Sequence, residues 1–259
     1  MRDIDDSKAP LLDHLIELRR RLLYCVAALV ITFALAWWQS RALFAFLVHP
    51  YAAVVGRDGA GQLVYTKLYE AFFVQIKVAF QAAFFLSFPI IANQLWAFIA
   101  PGLYRQEKRA IFPFLIATPF LFGLGGAVAY FFAVPNFIRF GLNSQKSSEG
   151  IHLNALPSIG DYFSIVTNII WAFGVAFLLP VLLMLLERAG IVTRAQLVGG
   201  RRYAIVAATV IAAVLTPPDI LSQISLAIPL VILYESALAA MWFTQRSRDK
   251  AARRLPVVQ

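Results

Sequence analysis

Long apolar runs alternate with short polar links along the chain. A helix needs about 20 apolar residues to cross the hydrocarbon core of a bilayer, and five runs approach or exceed that length: 22–38, 69–100, 111–134, 161–186 and 220–243. A further run, 204–215, is only about 12 residues long, or roughly 18 Å as a helix. The pattern predicts an all-α polytopic membrane protein with six transmembrane helices, the last two of them short.

The polar segments between these runs predict the connections. Residues 1–21 carry leucine and isoleucine at helical spacing among charges, which predicts a short amphipathic helix on the membrane surface before the chain turns into the first span. Residues 39–68 and 135–160 predict two long loops, because turn-forming residues are frequent in both. Residues 187–203 form a basic link, and the tail from Gln245 is basic and predicted to be loose.

Several single residues inside the runs add local predictions. Gly123, Gly125 and Gly126 predict a close approach of the third span to another helix, because small residues let helix backbones come together. Asp161 stands at the start of the fourth run and is predicted to cap that helix. Pro180 lies inside the same run.

Composition supports a membrane protein. Hydrophobic residues make up 60% of the 259 and charged residues only 14%, whereas soluble domains carry about 25% charged residues. We expect one membrane-embedded domain over residues 1–259. The single cysteine, Cys25, excludes an internal disulfide and is expected to pack as a small buried hydrophobe.

The distribution of positive charge predicts the topology. The net charge is +9, and in so apolar a chain it favours cytoplasmic loops over a nucleic-acid partner. The termini and the links on their side of a six-span arrangement hold 17 of the 23 lysine and arginine residues, whereas the opposite loops hold 5. This bias predicts that both termini are cytoplasmic.

The sequence carries no signature of a catalytic or cofactor site. It contains no G-x-S-x-G motif, no Gly-rich phosphate loop and no H-E-x-x-H motif. His14 and Glu17 share a helical face, but a metal site needs more ligands. We therefore expect no enzyme, no cofactor and no metal.

Acidic residues close to the membrane are the informative groups. Glu17 precedes three arginines, and its spacing is equally compatible with a helical ion pair to Arg20 or Arg21. Glu107 lies in a short basic link between two spans, where it could pair with neighbouring cations or bind a charged partner.

Other acidic groups fall nearer the far membrane face or inside spans. Asp219 follows two prolines in a very short turn. It could cap the last helix, or it could be an ionised carboxylate that needs a partner. Gln223 lies one helical turn further on. Glu235 needs a polar neighbour. Glu70 and Lys77 share one helical face and are expected to point toward other helices or the interface and not toward lipid.

Four stretches resemble the TatC family of the twin-arginine protein translocase. Together they reach across the whole chain, and the blocks around Glu107 and Asp219 are the most specific. The stretches are HLIELRRRLL at 14–23, SFPIIANQLWAFIAPGLYRQEKR at 87–109, FGVAFLLPV at 173–181 and TPPDILSQISLAIPLVILYE at 216–235.

The resemblance implies a function and the residues that serve it. Members of this family receive twin-arginine signal peptides of folded cargo at their cytoplasmic face in the bacterial inner membrane. With single-span TatA- and TatB-type partners, and as an oligomer, they export the cargo by using the proton-motive force. By motif position, Glu17 and Glu107 are the carboxylates that take the arginines, and Arg19 and Phe98 support them.

The resemblance also implies residues for assembly. Pro50 matches a position important for assembly of the complex, and Asp219 and Gln223 match polar positions in contact with TatA and TatB. One position departs from the family pattern. Many relatives carry Glu or Gln in the fourth span where this chain has Leu178, so a polar contact to TatA through that position is in doubt.

Two other function classes fit part of the pattern. A proton- or ion-coupled secondary transporter of a small solute would also have six spans, broken helices and intramembrane acids, but it predicts matched halves, and no internal repeat is present. An intramembrane enzyme needs a nucleophile and a base at one depth, and the predicted spans contain no histidine.

Overall fold

A computed structural model describes residues 5–58, 63–103, 112–144, 157–188, 190–215 and 220–252. These ranges are helical apart from short connections, with one isolated β-bridge, Val64 to Ser158, and no strand, so the predicted all-α fold is confirmed. A π-helical turn, Ala129–Ala133, joins α4 to α5. The α-helices are α1 Asp5–Trp38, α2 Ser40–Asp58, α3 Glu70–Leu103, α4 Phe112–Val128, α5 Val134–Ser144, α6 Ile159–Ala176, α7 Leu179–Arg188, α8 Arg194–Gly199, α9 Arg201–Leu215 and α10 Ile220–Ala252.

Membrane-spanning candidates match most of the predicted spans. Among the described residues, five helical stretches are long and apolar enough to cross a membrane: His14–Trp38, Glu70–Phe98, Phe114–Leu142, Ile159–Arg188 and Gln223–Arg246. α9 covers the predicted fifth span with 15 residues, or about 22 Å of helix, against a hydrocarbon core of about 30 Å. The six-span count therefore stays a prediction. The last span, which was predicted to be short, is 24 residues long and sufficient to cross.

The entry into the first span is a single helix. The sequence pattern predicted a surface helix over residues 1–21 and a turn before Leu22, and this turn is wrong. α1 runs without interruption from Asp5 to Trp38. No glycine or proline occurs between Leu11 and Trp38, so nothing removes a helical hydrogen bond or favours a turn there.

The first predicted loop, 39–68, is largely helical, which corrects the sequence prediction. α2 follows α1 after Gln39, whose carbonyl accepts a hydrogen bond from the Leu43 N–H at 3.1 Å. Pro50 lies inside α2 and is buried. Burial of apolar side chains on one side of α2, including Tyr51 and Val54, offsets the hydrogen bond that Pro50 removes.

Two other helices extend beyond their predicted ends. The loop predicted from residue 135 is wrong as far as Ser144, because α5 continues from the π turn. The tail predicted to be loose from Gln245 is wrong as far as Ala252, where α10 ends. The extension of α5 mixes apolar and polar residues, and a candidate span includes it as far as Leu142. The extension of α10 is mostly polar, which is compatible with a helix that leaves the membrane.

The start of α6 is capped by a different residue from the predicted one. The Asp161 N–H donates to Ser158 Oγ at 3.0 Å. Ser158 directly precedes the first residue of α6, Ile159, whereas Asp161 lies within the first turn. Ser158 is therefore the N-cap, and the prediction for Asp161 is wrong by three residues.

The fourth predicted span contains a break between α6 and α7. Pro180 has no N–H, so the Ala176 carbonyl receives no helical hydrogen bond from it. The backbone turns at Phe177 and Leu178, and the Leu178 N–H donates to the Val175 carbonyl at 3.0 Å, in the tighter spacing of a 3₁₀ turn.

The helices form two compact units, and α4 and α6 contribute residues to both. The first unit holds α1, α2, α3, the α4 residues up to Phe120 and the α6 residues up to Thr167. In it, α1 packs along α3 through Ala36, Ala79 and Ala83, each at most 2% exposed. These small side chains let the two backbones approach.

The second unit holds the remaining parts of α4 and α6 with α5 and α7 to α10. Tyr234, Leu238 and Met241 of α10 form a buried cluster that α7 side chains contact. α10 also packs against α9. The expected single domain over residues 1–259 stays a prediction beside these two units.

Candidate functional site

Glu17 lies on α1 one turn before Arg21 and is paired with it. The Arg21 Nε donates to Glu17 Oε1 at 3.0 Å, and Arg21 Nη2 donates to the same oxygen. The spacing allowed Arg20 or Arg21 as the partner, and the structure has Arg21. Both of these hydrogen bonds are accepted by Oε1, so they leave the lone pairs of Oε2 to other donors.

Phe98 comes to the same end of α1 from α3. Its ring stacks on the His14 imidazole, with ring centroids 4.4 Å apart and planes inclined by 19°. His14 is one helical turn before Glu17, so the stack places Phe98 beside the turn of α1 that carries the carboxylate. The structure thus brings together two of the predicted site residues, through a histidine that the sequence pattern left without a role.

The two other arginines of α1 have different surroundings. Arg20 Nε donates to the Tyr24 hydroxyl at 3.3 Å, and its guanidinium lies 5.8 Å from the centroid of the same ring. Arg19 is exposed. Of the three arginines, Arg21 is therefore the one that contacts the Glu17 carboxylate.

Glu107 lies outside the described residues. The structure describes the motif stretch that contains it, 87–109, as far as Leu103. Trp96, within this stretch, makes a contact that the sequence did not predict. Trp96 is buried and its Nε1 donates to Thr118 Oγ1 at 2.8 Å, while Thr118 Oγ1 donates to the Phe114 carbonyl at 2.7 Å. This hydrogen bond ties α3 to α4, and a threonine inside an apolar run was the signal for it.

The predicted assembly residues are spread along the chain. Pro50 is buried inside α2. Gln223 lies on α10 and its Nε2 donates to the Thr209 carbonyl of α9 at 3.3 Å. Asp219 lies outside the described residues, so its predicted relation to Gln223 stays a prediction. Leu178 is half-buried at the break between α6 and α7.

Glu235 has the polar neighbour that it was predicted to need. Its Oε2 accepts a hydrogen bond from Arg201 Nη2 at 2.8 Å, and the two side chains are about half exposed. Nearby, Gln245 Nε2 donates to Glu187 Oε1 at 2.9 Å. These contacts join α10 to the first residue of α9 and to the end of α7. At such exposure the ion pair contributes at most about 1 kcal/mol.

Glu70 is a second carboxylate with a dense set of donors. Its Oε2 accepts from the Thr66 N–H at 2.6 Å, from the Thr66 hydroxyl at 3.0 Å and from the Lys67 N–H at 3.1 Å. Its Oε1 accepts from the Gly160 N–H at 2.6 Å. Glu70 therefore ties the segment before α3 to the first turn of α6, as expected for a group that faces another helix.

Comparison with known proteins decides the family. A family model described as "Sec-independent protein translocase protein (TatC)" matches residues 13–229. The chain belongs to the TatC family. A TatC from Magnetococcus marinus is 47% identical over 233 residues, which cover 90% of this chain and 84% of the relative. The TatC of Escherichia coli K12 is 37% identical over 232 residues, which cover 90% of this chain and 87% of the relative.

Solved structures agree with the sequence relatives. A crystal structure of the twin-arginine translocase receptor TatC in the detergent DDM superposes with a TM-score of 0.76 and 35% identity, over 88% of this chain and 98% of that one. This TatC-family chain is therefore a membrane-embedded component of the Sec-independent Tat protein translocase, a family that is not enzymatic. The resemblance found in the sequence is confirmed.

Proposed function

We propose that this TatC-family chain is the subunit of the translocase that receives twin-arginine signal peptides. The observation that carries the proposal is the arrangement of Glu17, Arg21, His14 and Phe98 at one end of α1. A TatC crystal structure that superposes on this chain is described as a twin-arginine translocase receptor.

Glu17 has the chemistry to accept a guanidinium. Because Arg21 bonds only Oε1, an incoming arginine can approach Oε2 without displacing Arg21. Arginine presents a planar fork of donors, whereas lysine is a compact point charge, so an arginine pair fits carboxylates better than a lysine pair. Glu107 is the proposed second carboxylate, with Arg19 and Phe98 in support.

Topology, energy source and partners belong to the same proposal. Six spans with both termini cytoplasmic put the Glu17 turn on the side where signal peptides are made, and the charge distribution supports this orientation. In the bacterial inner membrane, the proton-motive force then drives export with TatA- and TatB-type subunits in an oligomeric complex. Pro50, Asp219 and Gln223 are the proposed assembly positions.

The receptor proposal predicts how binding responds to substitution. We expect a fluorescent twin-arginine signal peptide to bind the purified full chain in detergent more tightly than its twin-lysine counterpart. Glu17→Gln should weaken the arginine peptide about tenfold or more, because a charge-assisted hydrogen bond contributes about 1.5–3 kcal/mol. Glu107→Gln should act in the same direction.

The matched control is Glu235→Gln. It removes an ion-paired carboxylate of similar exposure in the other unit and should leave peptide affinity unchanged. Equal affinity for the two peptides, or an affinity that Glu17→Gln does not change, would overturn the receptor proposal.

The assembly proposal has its own measurement. Gln223→Ala removes the hydrogen bond to the Thr209 carbonyl and a polar side chain from α10. We expect it to reduce the amount of TatB-type subunit that co-purifies with the chain, while binding of the signal peptide is retained. Undiminished co-purification would remove Gln223 from the proposed contact.

A further inference from the structure

A cleft of about 560 Å³ lies in the first unit, where α3 and α6 begin. This volume is within the range of about 300–1,000 Å³ that is typical of small-molecule sites. Its polar lining comes from both helices and from the segment before α3, and its apolar wall from α3. The lining residues used below are Lys67, Glu70, Phe73, Val74, Lys77 and Asp161.

Glu70 is not the group that a ligand would meet in this cleft. Its two oxygens already accept hydrogen bonds from Thr66, Lys67 and Gly160. A side chain at Gly160 has no room, because its Cβ would lie 2.6 Å from Glu70 Oε1. The carboxylate therefore joins the segment before α3 to the first turn of α6. The other charged groups of the cleft are the ones that can interact with a ligand.

Lys77 is the deepest cation of the cleft. It lies seven residues, or two helical turns, after Glu70 on the same face of α3, about 10 Å further along the helix axis. Its side chain is exposed, and the described part of the chain provides it with no ion pair. An ammonium inside a membrane-spanning helix is costly without a partner, and its long stem lets it reach up into the cleft.

The rim of the cleft carries the opposite charge as well. Asp161 is exposed and belongs to the cleft lining, and its backbone N–H donates to Ser158 Oγ. Lys67 is also exposed at the rim. With Glu70, the cleft holds two cations and two carboxylates, so its formal charge is zero, and charge complementarity favours a ligand that is itself zwitterionic.

The apolar wall indicates where such a ligand comes from. Phe73, more than half exposed, and buried Val74 lie on α3 between Glu70 and Lys77. Both helices of the cleft begin here and continue as membrane spans. Because both spans start at the cleft, we expect the cleft to lie at the depth where headgroups give way to acyl chains.

We propose that this cleft binds one phospholipid whose headgroup carries a primary ammonium, as phosphatidylethanolamine does. The phosphate accepts hydrogen bonds from Lys77, and the headgroup ammonium donates to Asp161. An acyl chain lies along Phe73. A choline headgroup has no N–H to donate to Asp161, and a glycerol headgroup adds a net negative charge without an ammonium.

The test is native mass spectrometry of the purified full chain in detergent, titrated with phosphatidylethanolamine, phosphatidylcholine and phosphatidylglycerol of identical acyl chains. We expect phosphatidylethanolamine to be retained most strongly. Lys77→Gln should weaken its retention about tenfold or more, as expected for the loss of a charge-assisted hydrogen bond. Lys77→Arg should keep it, since it keeps the cation.

Asp161→Asn distinguishes binding of the headgroup ammonium from binding of the phosphate. It should abolish the preference for phosphatidylethanolamine over phosphatidylcholine and leave phosphate binding in place. The control is Arg246→Gln, which removes a cation that lies over Trp242 on α10, away from the cleft residues in sequence and in the other unit. Equal retention of the three lipids, a preference for phosphatidylglycerol, or no response to Lys77→Gln would overturn the proposal.

Discussion

Tyr51 and Tyr162 pack edge to face, with ring centroids 5.3 Å apart, but their hydroxyl groups have opposite surroundings. The Tyr162 hydroxyl donates to the Leu47 carbonyl at 2.8 Å. The Tyr51 hydroxyl is buried and has no hydrogen-bond partner among the described residues. Burial raises the pKa of Tyr51 above its ordinary value, because the charged phenolate is poorly solvated there.

These two tyrosines form a matched pair for a stability measurement. Tyr162→Phe loses a buried hydrogen bond and should lower the free energy of unfolding by about 0.5–1.5 kcal/mol. Tyr51→Phe removes an unsatisfied polar group and should leave that free energy unchanged or raise it by about 1 kcal/mol. Denaturant unfolding in detergent measures both, and a larger loss for Tyr51→Phe would contradict the assignment of the two hydroxyls.

Spacing along one helix predicted some residue contacts but not those between helices. The Glu17–Arg21 pair follows from an i,i+4 spacing that the sequence displays directly. The Phe98–His14 stack joins residues 84 positions apart and depends on how α1 lies along α3. In the same way, nothing local links Glu70 to Gly160, because their hydrogen bond requires two helices to begin side by side.

At the scale of elements, α4 and α6 approach each other closely within the second unit. A Cβ on Gly125 would lie 2.5 Å from the Phe173 carbonyl oxygen and 2.9 Å from the Phe177 Cβ. Gly174, on α6, is equally confined, because its Cβ would meet the Phe122 ring at 2.8 Å. The sequence predicted a close approach from three glycines, and the close approach requires a glycine at position 125.

Gly125→Ala should therefore destabilise the protein by about 1–3 kcal/mol, the usual cost of overpacking, since backbone atoms must move to admit the methyl group. Gly123→Ala is the control, because a Cβ there meets no atom within 4 Å. The loss of helical circular dichroism on heating in detergent would compare the two. Equal melting temperatures would mean that α4 and α6 do not approach as closely as described.

Hydropathy predicted the spans well and the connections poorly, for one physical reason. An apolar run indicates a segment that lies in lipid, where the backbone must be helical. A polar segment can be helical or irregular, and its hydropathy does not distinguish the two. α2, α5 and the end of α10 are helices within segments that were predicted to be loops or a loose tail. α8, in the basic link, has a capping box at Thr193 and Gln196, a signal that the sequence offered and that a search limited to apolar runs passes over.

At the scale of the whole molecule, the receptor proposal depends on the orientation of the chain in the membrane. In a Cys25→Ala background, we expect Lys67→Cys, before α3, to react with a membrane-impermeant maleimide in intact spheroplasts. Arg246→Cys, near the end of α10, should react only after the membrane is permeabilised. The reverse order of labelling would place the Glu17 turn on the wrong side for a signal receptor.

The whole chain could be assigned to a family from its motifs, whereas its packing into units could not be predicted. Composition indicated the class of protein, and four motif stretches, above all the blocks around Glu107 and Asp219, indicated the family, because both depend on the identity of residues alone. The approach of α1 to α3 through three alanines had no such signal, since alanine is common in any apolar helix.

The π turn at Ala129–Ala133 changes how residues 112–144 should be aligned on a helical wheel. The Val134 N–H donates to the Ala129 carbonyl, five residues back instead of four. One additional residue in a helical turn offsets the faces on its two sides by about 100°. Gly125 lies on α4, before the π turn, and the residues that contact α10 lie on α5, after it. A helical wheel drawn with one uniform period would therefore misplace one set relative to the other. One continuous apolar run therefore presents two differently directed faces.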